Sequence, residues 1–455
     1  MDKKTLKIIV LIIFALVLNF NNSFARPFQN PVKTAIDKAE ISSSALIGVS
    51  VKNINTGKTK FEMNSKAPMS AASVQKVVTL IPTISQLGID YQFKTTLYKN
   101  GNDIYIKLGA DPYLTSRDLR NMLAELAKYK LKSINNFYID DSVMDREEWG
   151  EGWQWDNELN VLMPKFGAYN LDKNLITIGF YPTAVGAPVE IRTKVFYPLT
   201  FQNNVVTGKG NNIVLDKKNY IAPDVITVTG EISKDTEITI PINNPKKYFV
   251  LRLEDSIRKQ KVPFYGDIKF AKTPSSAKVV AYTSHPLEQA INDILKNSNN
   301  MVAETVFKLA GGKCINGAGT AEKAARMVYG YYLDEGIDSS KIKIVDGSGV
   351  SKNNLLTADF ITEALLKDYN AKNAIRKYMT EPGETGTLMY RMLYFQNNLR
   401  AKTGTLTNVS ALAGYITAQS GQTYTFAILI NDPKSKSADK KAFEEYTLRE
   451  IYKSF

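Results

Sequence analysis

Residues 69–76 read Met-Ser-Ala-Ala-Ser-Val-Gln-Lys, and the last four, Ser73-Val74-Gln75-Lys76, have the form S-x-x-K. Side chains three positions apart on a helix share a face, one turn apart, so the Lys76 amine can reach the Ser73 hydroxyl. Two strings follow in order along the chain: Ser298-Asn299-Asn300 (S-x-N) and Lys402-Thr403-Gly404 (K-T-G). Together they supply a serine nucleophile, a lysine base, a polar second wall and a cationic strand edge, which is the equipment for acyl transfer without histidine. Taken singly the strings are weak. S-x-x-K occurs five times, starting at Ser73, Ser256, Ser275, Ser340 and Ser437, and each is by itself expected to be a surface coincidence. Their joint order, each on a suitable element, gives them weight.

The roles follow from the chemistry. Ser73 is the expected nucleophile and Lys76 its general base. A lysine serves as a base only if its pKa falls, through burial and a second cation, and Lys402 is the candidate cation. Ser298 is expected to relay a proton to the leaving amine, although a helix N-cap is the plain alternative for it. Asn300 is expected to hold Lys76 or the substrate amide. Thr403 can bind a substrate carboxylate, Gly404 lets backbone approach closely, and Thr405 would join the Ser73 N–H in an oxyanion hole. Pro82 is expected to kink or end the nucleophile helix after about two turns.

The remaining chemistry is sparse. The chain has one His and one Cys, His285 and Cys314, so a Ser-His-Asp triad or Cys-His pair has little to draw on. No H-E-x-x-H occurs, no metal site is expected, and no cofactor is implied. Cys314 cannot pair within the chain and is expected to be a buried, inert thiol.

The two ends of the chain carry the sheet. Ala45–Val51, Lys58–Met63, Leu399–Leu406, Asn408–Ala418 and Thr423–Ile430 make five strand candidates. An α/β (α+β) architecture with a central antiparallel sheet from both termini, flanked by helices, accounts for them. Val32–Ile41 and Ala438–Phe455 are the flanking helix candidates. More than two hundred residues separate Ser73 from Ser298. Leu119–Lys130 there reads as a helix and Asn136–Asp140 as a strand. Residues 174–283 are rich in short Val/Ile/Thr/Tyr runs, so the span is expected to hold one or two largely β accessory domains.

Composition is that of a globular protein, with 44% apolar and 23% charged residues. Lys3, Lys4 and Lys7, the apolar run Ile8–Leu18 and Ser23-Phe24-Ala25 read as a secretory signal peptide cleaved after Ala25. Export argues against nucleic acid as a partner. A formal net charge of +13 instead suits cell-wall polymers, with peripheral contact to an anionic membrane also compatible. Oligomeric state is left open.

Beyond the three strings, Gly109-Ala-Asp-Pro-Tyr-Leu-Thr-Ser-Arg-Asp-Leu119, Tyr138-Ile-Asp-Asp-Ser-Val143, Gly152-Trp-Gln-Trp-Asp156, Asn297-Ser-Asn-Asn-Met-Val-Ala-Glu304, Asp346-Gly-Ser-Gly-Val-Ser-Lys-Asn-Asn354 and Glu384-Thr-Gly-Thr-Leu388 complete a pattern. With them, nearly the whole chain after the signal resembles the low-molecular-mass class C penicillin-binding proteins, a D-alanyl-D-alanine carboxypeptidase/endopeptidase family. The resemblance implies a transpeptidase/β-lactamase-like domain at 26–92 and 284–455, accessory domain II at 93–173 and 255–283, and a nested domain III at 174–254. It implies periplasmic cleavage of the terminal D-Ala-D-Ala bond of peptidoglycan stem peptides, cleavage of crosslinks between stems, and covalent inhibition by β-lactam antibiotics. It also implies that Asp140 or Asp141, together with Lys352, recognises the side chain of the stem peptide's third residue. Many relatives carry Arg where this chain has Lys352, and a lysine lacks the bidentate fork. A serine β-lactamase of the same fold and a non-catalytic wall-binding protein are the competing functions. The first lacks an added deacylation base, and the intact catalytic strings argue against the second.

Overall fold

The computed structural model describes residues 30–129, 131–217, 224–260, 263–371 and 375–455. The expected signal peptide lies outside the described residues, as does Lys130 at the end of one expected helix.

In chain order, α1 (Pro31–Ala39) leads to the hairpin β1 (Leu46–Asn53) and β2 (Thr59–Met63), then to α2 (Gln75–Leu87). The strands β3 (Gln92–Asn100) and β4 (Asp103–Lys107), helix α3 (Ser116–Ala124) and strand β5 (Phe137–Asp140) open the insertion. Six strands follow: β6 (Leu175–Tyr181), β7 (Glu190–Thr193), β8 (Thr200–Thr207), β9 (Asn211–Asp216), β10 (Val225–Ile232) and β11 (Thr236–Pro241). Helix α4 (Pro245–Arg258) and strands β12 (Ile268–Phe270) and β13 (Lys278–Pro286) return the chain. Four helices come next: α5 (Leu287–Lys296), α6 (Asn300–Cys314), α7 (Ala321–Asp334) and α8 (Ala358–Asn370). The chain closes with β14 (Leu399–Leu406), β15 (Val409–Thr417), β16 (Thr423–Asn431) and α9 (Ser437–Ser454).

The main sheet has the order β14-β15-β16-β1-β2, every pair antiparallel, so the first strands of the chain join the last. Both of its faces are covered, which is why β15 and β16 are apolar almost throughout rather than alternating with polar residues. The alternation survives in side-chain size. Leu412, Ile416, Phe426, Ile428 and Ile430 pack with Val32 and Ala35 of α1 and Phe443, Leu448 and Ile451 of α9. The opposite face presents Ala411, Ala413 and Ala427 to the cluster that holds Val74, Val77 and Val78. Small residues there let the nucleophile segment lie close to the sheet.

The insertion supplies the other sheets. A second five-stranded sheet runs β12-β5-β4-β3-β13, with β5 parallel to both β4 and β12. Two three-stranded sheets, β8-β10-β9 and β11-β6-β7, lie between residues 175 and 241. Helix α3 begins three residues before the expected Leu119, because Thr115 and Asp118 form a reciprocal capping box; beyond Ala124 the chain tightens into a 3-10 turn.

Two expectations are corrected. Helix α2 runs through Pro82 to Leu87 instead of ending there. Proline cannot donate to the carbonyl four residues back, that of Val78, and the buried Tyr332 hydroxyl donates to it instead, at 2.8 Å. Tyr332→Phe is therefore expected to cost about 1–3 kcal/mol, as for an orphaned buried acceptor, read by denaturant unfolding. A cost under a few tenths would show that Val78 needs no partner. Cys314 is exposed, not buried. The packed side of the last turn of α6 is its glycine side: a Cβ on Gly311 would lie 2.4 Å from the Ala324 nitrogen, and one on Gly312 2.7 Å from Gly319. Cys314 falls off that side.

Candidate active site

Ser73 lies in a single 3-10 turn, Ala72–Val74, that runs directly into α2. Ala72 holds φ at 45°, a left-handed conformation costly for a residue with a Cβ. Two glycines clamp it. A Cβ on Gly404 would stand 2.7 Å from the Ala71 oxygen and 3.1 Å from the Ser73 nitrogen. One on Gly349, in the D-G-S-G loop, would stand 2.0 Å from the Ala72 oxygen. The nucleophile turn is thus gripped between the edge strand β14 and that loop, and both contacts require backbone without side chain.

Lys76 is fully buried one turn beyond Ser73. Its Nζ is 2.9 Å from Ser73 Oγ, 2.6 Å from Asn300 Oδ1 and 2.7 Å from the Ser348 carbonyl. Three oxygens therefore fix the amine in one position. Burial lowers the Lys76 pKa to about 7, against the opposing pull of the Glu304 and Asp346 carboxylates. Burial, not a second cation, lowers Lys76; Lys402, the expected cation, is also fully buried. Burial first, and then the Lys76 charge, push Lys402 well below the usual lysine range.

Lys402 Nζ donates to Ser298 Oγ at 2.8 Å and to the Thr403 carbonyl at 2.7 Å. Ser298 is not the helix N-cap. Asn299 takes that position, its side chain accepting from the Val302 N–H at 3.1 Å, while Ser298 sits before it at φ 60°. The cap is filled by a neighbour, and the Ser298 hydroxyl is free to face Lys402. Thr403 Oγ1 donates to Thr387 Oγ1 at 2.9 Å, which brings the E-T-G-T-L segment against the K-T-G strand.

β14 is an edge strand of the main sheet. The Ala401 N–H leaves the sheet and donates to the Thr380 carbonyl at 3.0 Å. Strand period two sends the N–H groups of Thr403 and Thr405 out on the same side. Thr405 sits past the Gly404 contact with the nucleophile turn, so its N–H and that of Ser73 border one space.

The structure thus gathers Ser73, Lys76, Ser298, Asn300, Lys402, Thr403, Gly404 and Thr405. The other three candidates stand apart from this cluster. Asp140 is buried and accepts from Ser142 Oγ at 2.6 Å and the Thr273 N–H at 2.8 Å, bonds that hold its pKa low despite burial. Asp141 accepts from the Tyr169 hydroxyl at 2.6 Å and lines an open cleft. Lys352 is exposed, between Ser351 and Asn353 of the D-G-S-G loop. Among the described residues no ion pair or hydrogen bond joins Lys352 to either aspartate.

Several site residues were not singled out by their motifs. Glu304, fully buried one helical turn along α6 from Asn300, accepts from the Gly347 and Ser348 N–H groups at 3.0 and 2.7 Å. It thereby fixes the Ser348 carbonyl that Lys76 uses. Burial, and then the neighbouring Asp346, raise its pKa to about 7. Asp346 ties together Gly349 N–H, Ser351 N–H, Asn354 and Trp153 Nε1. Gln75 donates to Asp346 and Asn354 from the nucleophile helix itself. The insertion also reaches the site, because Asn300 Nδ2 donates to the Leu162 carbonyl at 2.7 Å. The D-G-S-G-V-S-K-N-N string and the E at the end of N-S-N-N-M-V-A-E were the available signals. Among the described residues no His/Cys/Asp/Glu cluster fit for a metal occurs.

Comparison with known proteins identifies the family and the fold. The model of the D-Ala-D-Ala carboxypeptidase 3 (S13) family matches residues 29–449. The D-alanyl-D-alanine carboxypeptidase DacB of Haemophilus influenzae is 25% identical over 95% of this chain and 96% of its own. The D-alanyl-D-alanine carboxypeptidase of an Actinomadura species is 27% identical over 85% of this chain and 78% of its own. The crystal structure of penicillin-binding protein 4 from Haemophilus influenzae superposes with a TM-score of 0.83 at 23% identity, covering 93% of this chain and 99% of that one. It shares the fold.

Proposed function

The chain belongs to the D-Ala-D-Ala carboxypeptidase 3 (S13) family, and from that premise we propose how its site performs the reaction. The protein is a serine-type D-Ala-D-Ala carboxypeptidase. The observation that carries the mechanism is the buried Lys76 amine, 2.9 Å from Ser73 Oγ and brought near neutrality by its surroundings.

With Lys76 neutral, its lone pair takes the Ser73 proton as Oγ attacks the carbonyl between two D-Ala residues. The new Oγ–C bond creates a tetrahedral oxyanion, which the Ser73 and Thr405 N–H groups stabilise. The C–N bond then breaks, and the proton that Lys76 took passes through Ser298, whose hydroxyl Lys402 orients, to the departing D-Ala amine, leaving Lys76 neutral again. Thr403 and Lys402 bind the terminal carboxylate of the substrate. Water attacks the acyl carbon and gives its proton to Lys76; the C–Oγ bond breaks, Lys76 returns that proton to Ser73 Oγ, and the shortened stem peptide leaves. β-Lactams enter the same path at Ser73. A relative's crystal structure, penicillin-binding protein 4 of Haemophilus influenzae in complex with a novel β-lactam, supports this. Asp141 and Lys352 are our candidates for recognising the stem side chain; Asp140, with its bonds to Ser142 and Thr273, clamps the turn. We infer a periplasmic or cell-envelope location, which a substrate in the cell wall and the basic and apolar run of residues 3–18 support.

The test is incubation of the purified protein with monomeric and crosslinked muropeptides, followed by mass spectrometry. Loss of a terminal D-Ala, abolished by Ser73→Ala, is the expected result. Scission of crosslinked dimers would add endopeptidase activity. No cleavage, together with a penicillin adduct that survives Ser73→Ala, would refute the mechanism.

The rate of acylation is expected to rise with pH, with a midpoint near the Lys76 value of about 7. Below it the ammonium has no lone pair to accept the serine proton; above it the base is ready. Lys76 faces Glu304, Asp346 and Lys402, so the midpoint belongs to this group as a whole. Fluorescent penicillin labelling across neutral pH measures it. A rate independent of pH would remove Lys76 as the base.

A further inference from the structure

The insertion sheet β12-β5-β4-β3-β13 has one face in the core and one outside. Phe93, Leu97, Ile104, Ile106, Phe137 and Ile139 point inward and are buried. By register the outer face carries Lys94, Tyr98, Tyr105, Lys107, Tyr138 and Tyr282: Tyr98 pairs with Tyr105, Tyr105 with Tyr138, and Thr96 with both Lys107 and Tyr282. Tyr105 and Tyr138 stack at 4.6 Å with their rings 12° from parallel, and Lys94 Nζ lies 3.9 Å from the Tyr282 ring centre. Tyr105 is buried within this stack, Tyr98 and Tyr138 are half-buried and Tyr282 is exposed, with Lys94 and Lys107 exposed beside them.

Lys94, Thr96, Tyr98 and Lys107 of this face, with Tyr91 just before β3, form one wall of an open cleft of about 820 Å³, whose other wall is the end of α6 and the residues after it. Five cations line the cleft, Lys94, Lys107, Arg146, Lys272 and Lys313, against one carboxylate, Asp141. Other concavities are closer to balance. The one beside Asp338, Asp359 and Glu363 has three cations for three carboxylates, and the one beside Asp118, Asp172 and Asp255 has five for three. Among the described residues Lys94, Lys107, Arg146 and Lys272 have no ion-pair partner, and Asp141 is engaged by Tyr169. Five cations against one carboxylate, four of them without an ion-pair partner among the described residues, favour an anionic ligand. Flat aromatic rings beside them favour one that also presents apolar faces.

We propose that this cleft is a second binding site, which holds an anionic glycan–peptide strand of the cell wall away from the bond being cut. Sugar rings lie against Tyr91 and Tyr98, and the carboxylates of neighbouring stem peptides pair with the lysines. The proposal rests on the reading of the enzyme as a peptidoglycan peptidase. Helix α6 joins the two sites: Asn300 at its start holds Lys76, and Gly312 near its end lines the cleft, about 18 Å further along the axis at 1.5 Å per residue. A strand held here brings its stems to Ser73 repeatedly, which raises their effective concentration there.

The experiment compares three forms: the wild type; Lys94→Glu/Lys107→Glu/Lys272→Glu; and a control, Lys58→Glu/Lys209→Glu/Lys234→Glu, with the same charge change on exposed lysines elsewhere. Each is sedimented with purified peptidoglycan sacculi and labelled with fluorescent penicillin. Retention on sacculi is expected to fall at least tenfold for the cleft variant and less than twofold for the control, with labelling within twofold throughout. The milder Lys94→Gln/Lys107→Gln/Lys272→Gln form, expected to lose about threefold, covers misfolding of the charge-reversed protein. Amidating the carboxyl groups of the sacculi is expected to reduce wild-type retention to the level of the cleft variant. Equal losses in cleft variant and control, retention that survives amidation, or preferential competition by single-stranded DNA would overturn the proposal. If penicillin labels no form, the catalytic reading fails, and the sacculus measurement still tests the cleft.

Discussion

Lys76→Ala is expected to slow acylation of Ser73 by about 10²–10⁴-fold, or roughly 3–5 kcal/mol of transition-state stabilisation, the range for loss of a positioned general base. No other described group is placed to act as base at Ser73 Oγ. Lys402 points at Ser298 and its own strand, and the Asn300 side chain accepts from Lys76 without basicity. Lys76→Arg is expected to fare no better, since guanidinium stays charged and does not fit three acceptors placed around a single nitrogen. The measurement is the second-order rate of fluorescent penicillin adduct formation, alongside a thermal melt to show that the protein remains folded. A rate within tenfold of wild type for Lys76→Ala would mean that another group removes the serine proton.

Gly404→Ala is the second large effect. Its Cβ would press on the Ala71 carbonyl at 2.7 Å and on Ala72 Cβ and the Ser73 nitrogen at 3.1 Å. None of these is the end of a flexible side chain, so the strand and the nucleophile turn have to separate. That separation moves the Thr405 N–H away from the Ser73 N–H, and losing one oxyanion donor costs about 10²–10³ in rate. The defect is expected in acylation more than in stability, because β14 keeps its full register with β15, Leu399 to Leu406. Near-normal acylation by Gly404→Ala would show that the oxyanion is stabilised elsewhere. The same argument on the other side of the turn applies to Gly349, whose φ of 80° adds strain to any replacement.

Much of this site was legible in the sequence because its parts are short strings with fixed local geometry. A serine and lysine three apart need only one turn, and K-T-G needs only an edge strand. The five-stranded sheet was legible because β1, β15 and β16 are largely apolar runs and turns separate the strands at both ends of the chain. What escaped was tertiary. Glu304 looks like any helix glutamate until the D-G-S-G loop folds over it, and Asp346 gathers donors from three separate parts of the chain. Pro82 was misjudged because the hydroxyl that compensates it, on Tyr332, lies 250 residues away in sequence. Cys314 was misjudged because burial is common for free cysteines, whereas here the two glycines before it, not the thiol, set the packed side of the helix. The aspartates at 140 and 141 show the limit of a motif: adjacent and identical, they have different partners, which only the fold assigns.

The pairing of β1 with β16 has a temporal consequence. A nascent chain carries its nucleophile within the first hundred residues, yet the oxyanion donor, the second ammonium and the central strands are translated last. A chain cut short before Leu399 therefore carries Ser73 and Lys76 without Lys402, the Thr405 N–H or strands β14, β15 and β16, and is expected to be unable to acylate.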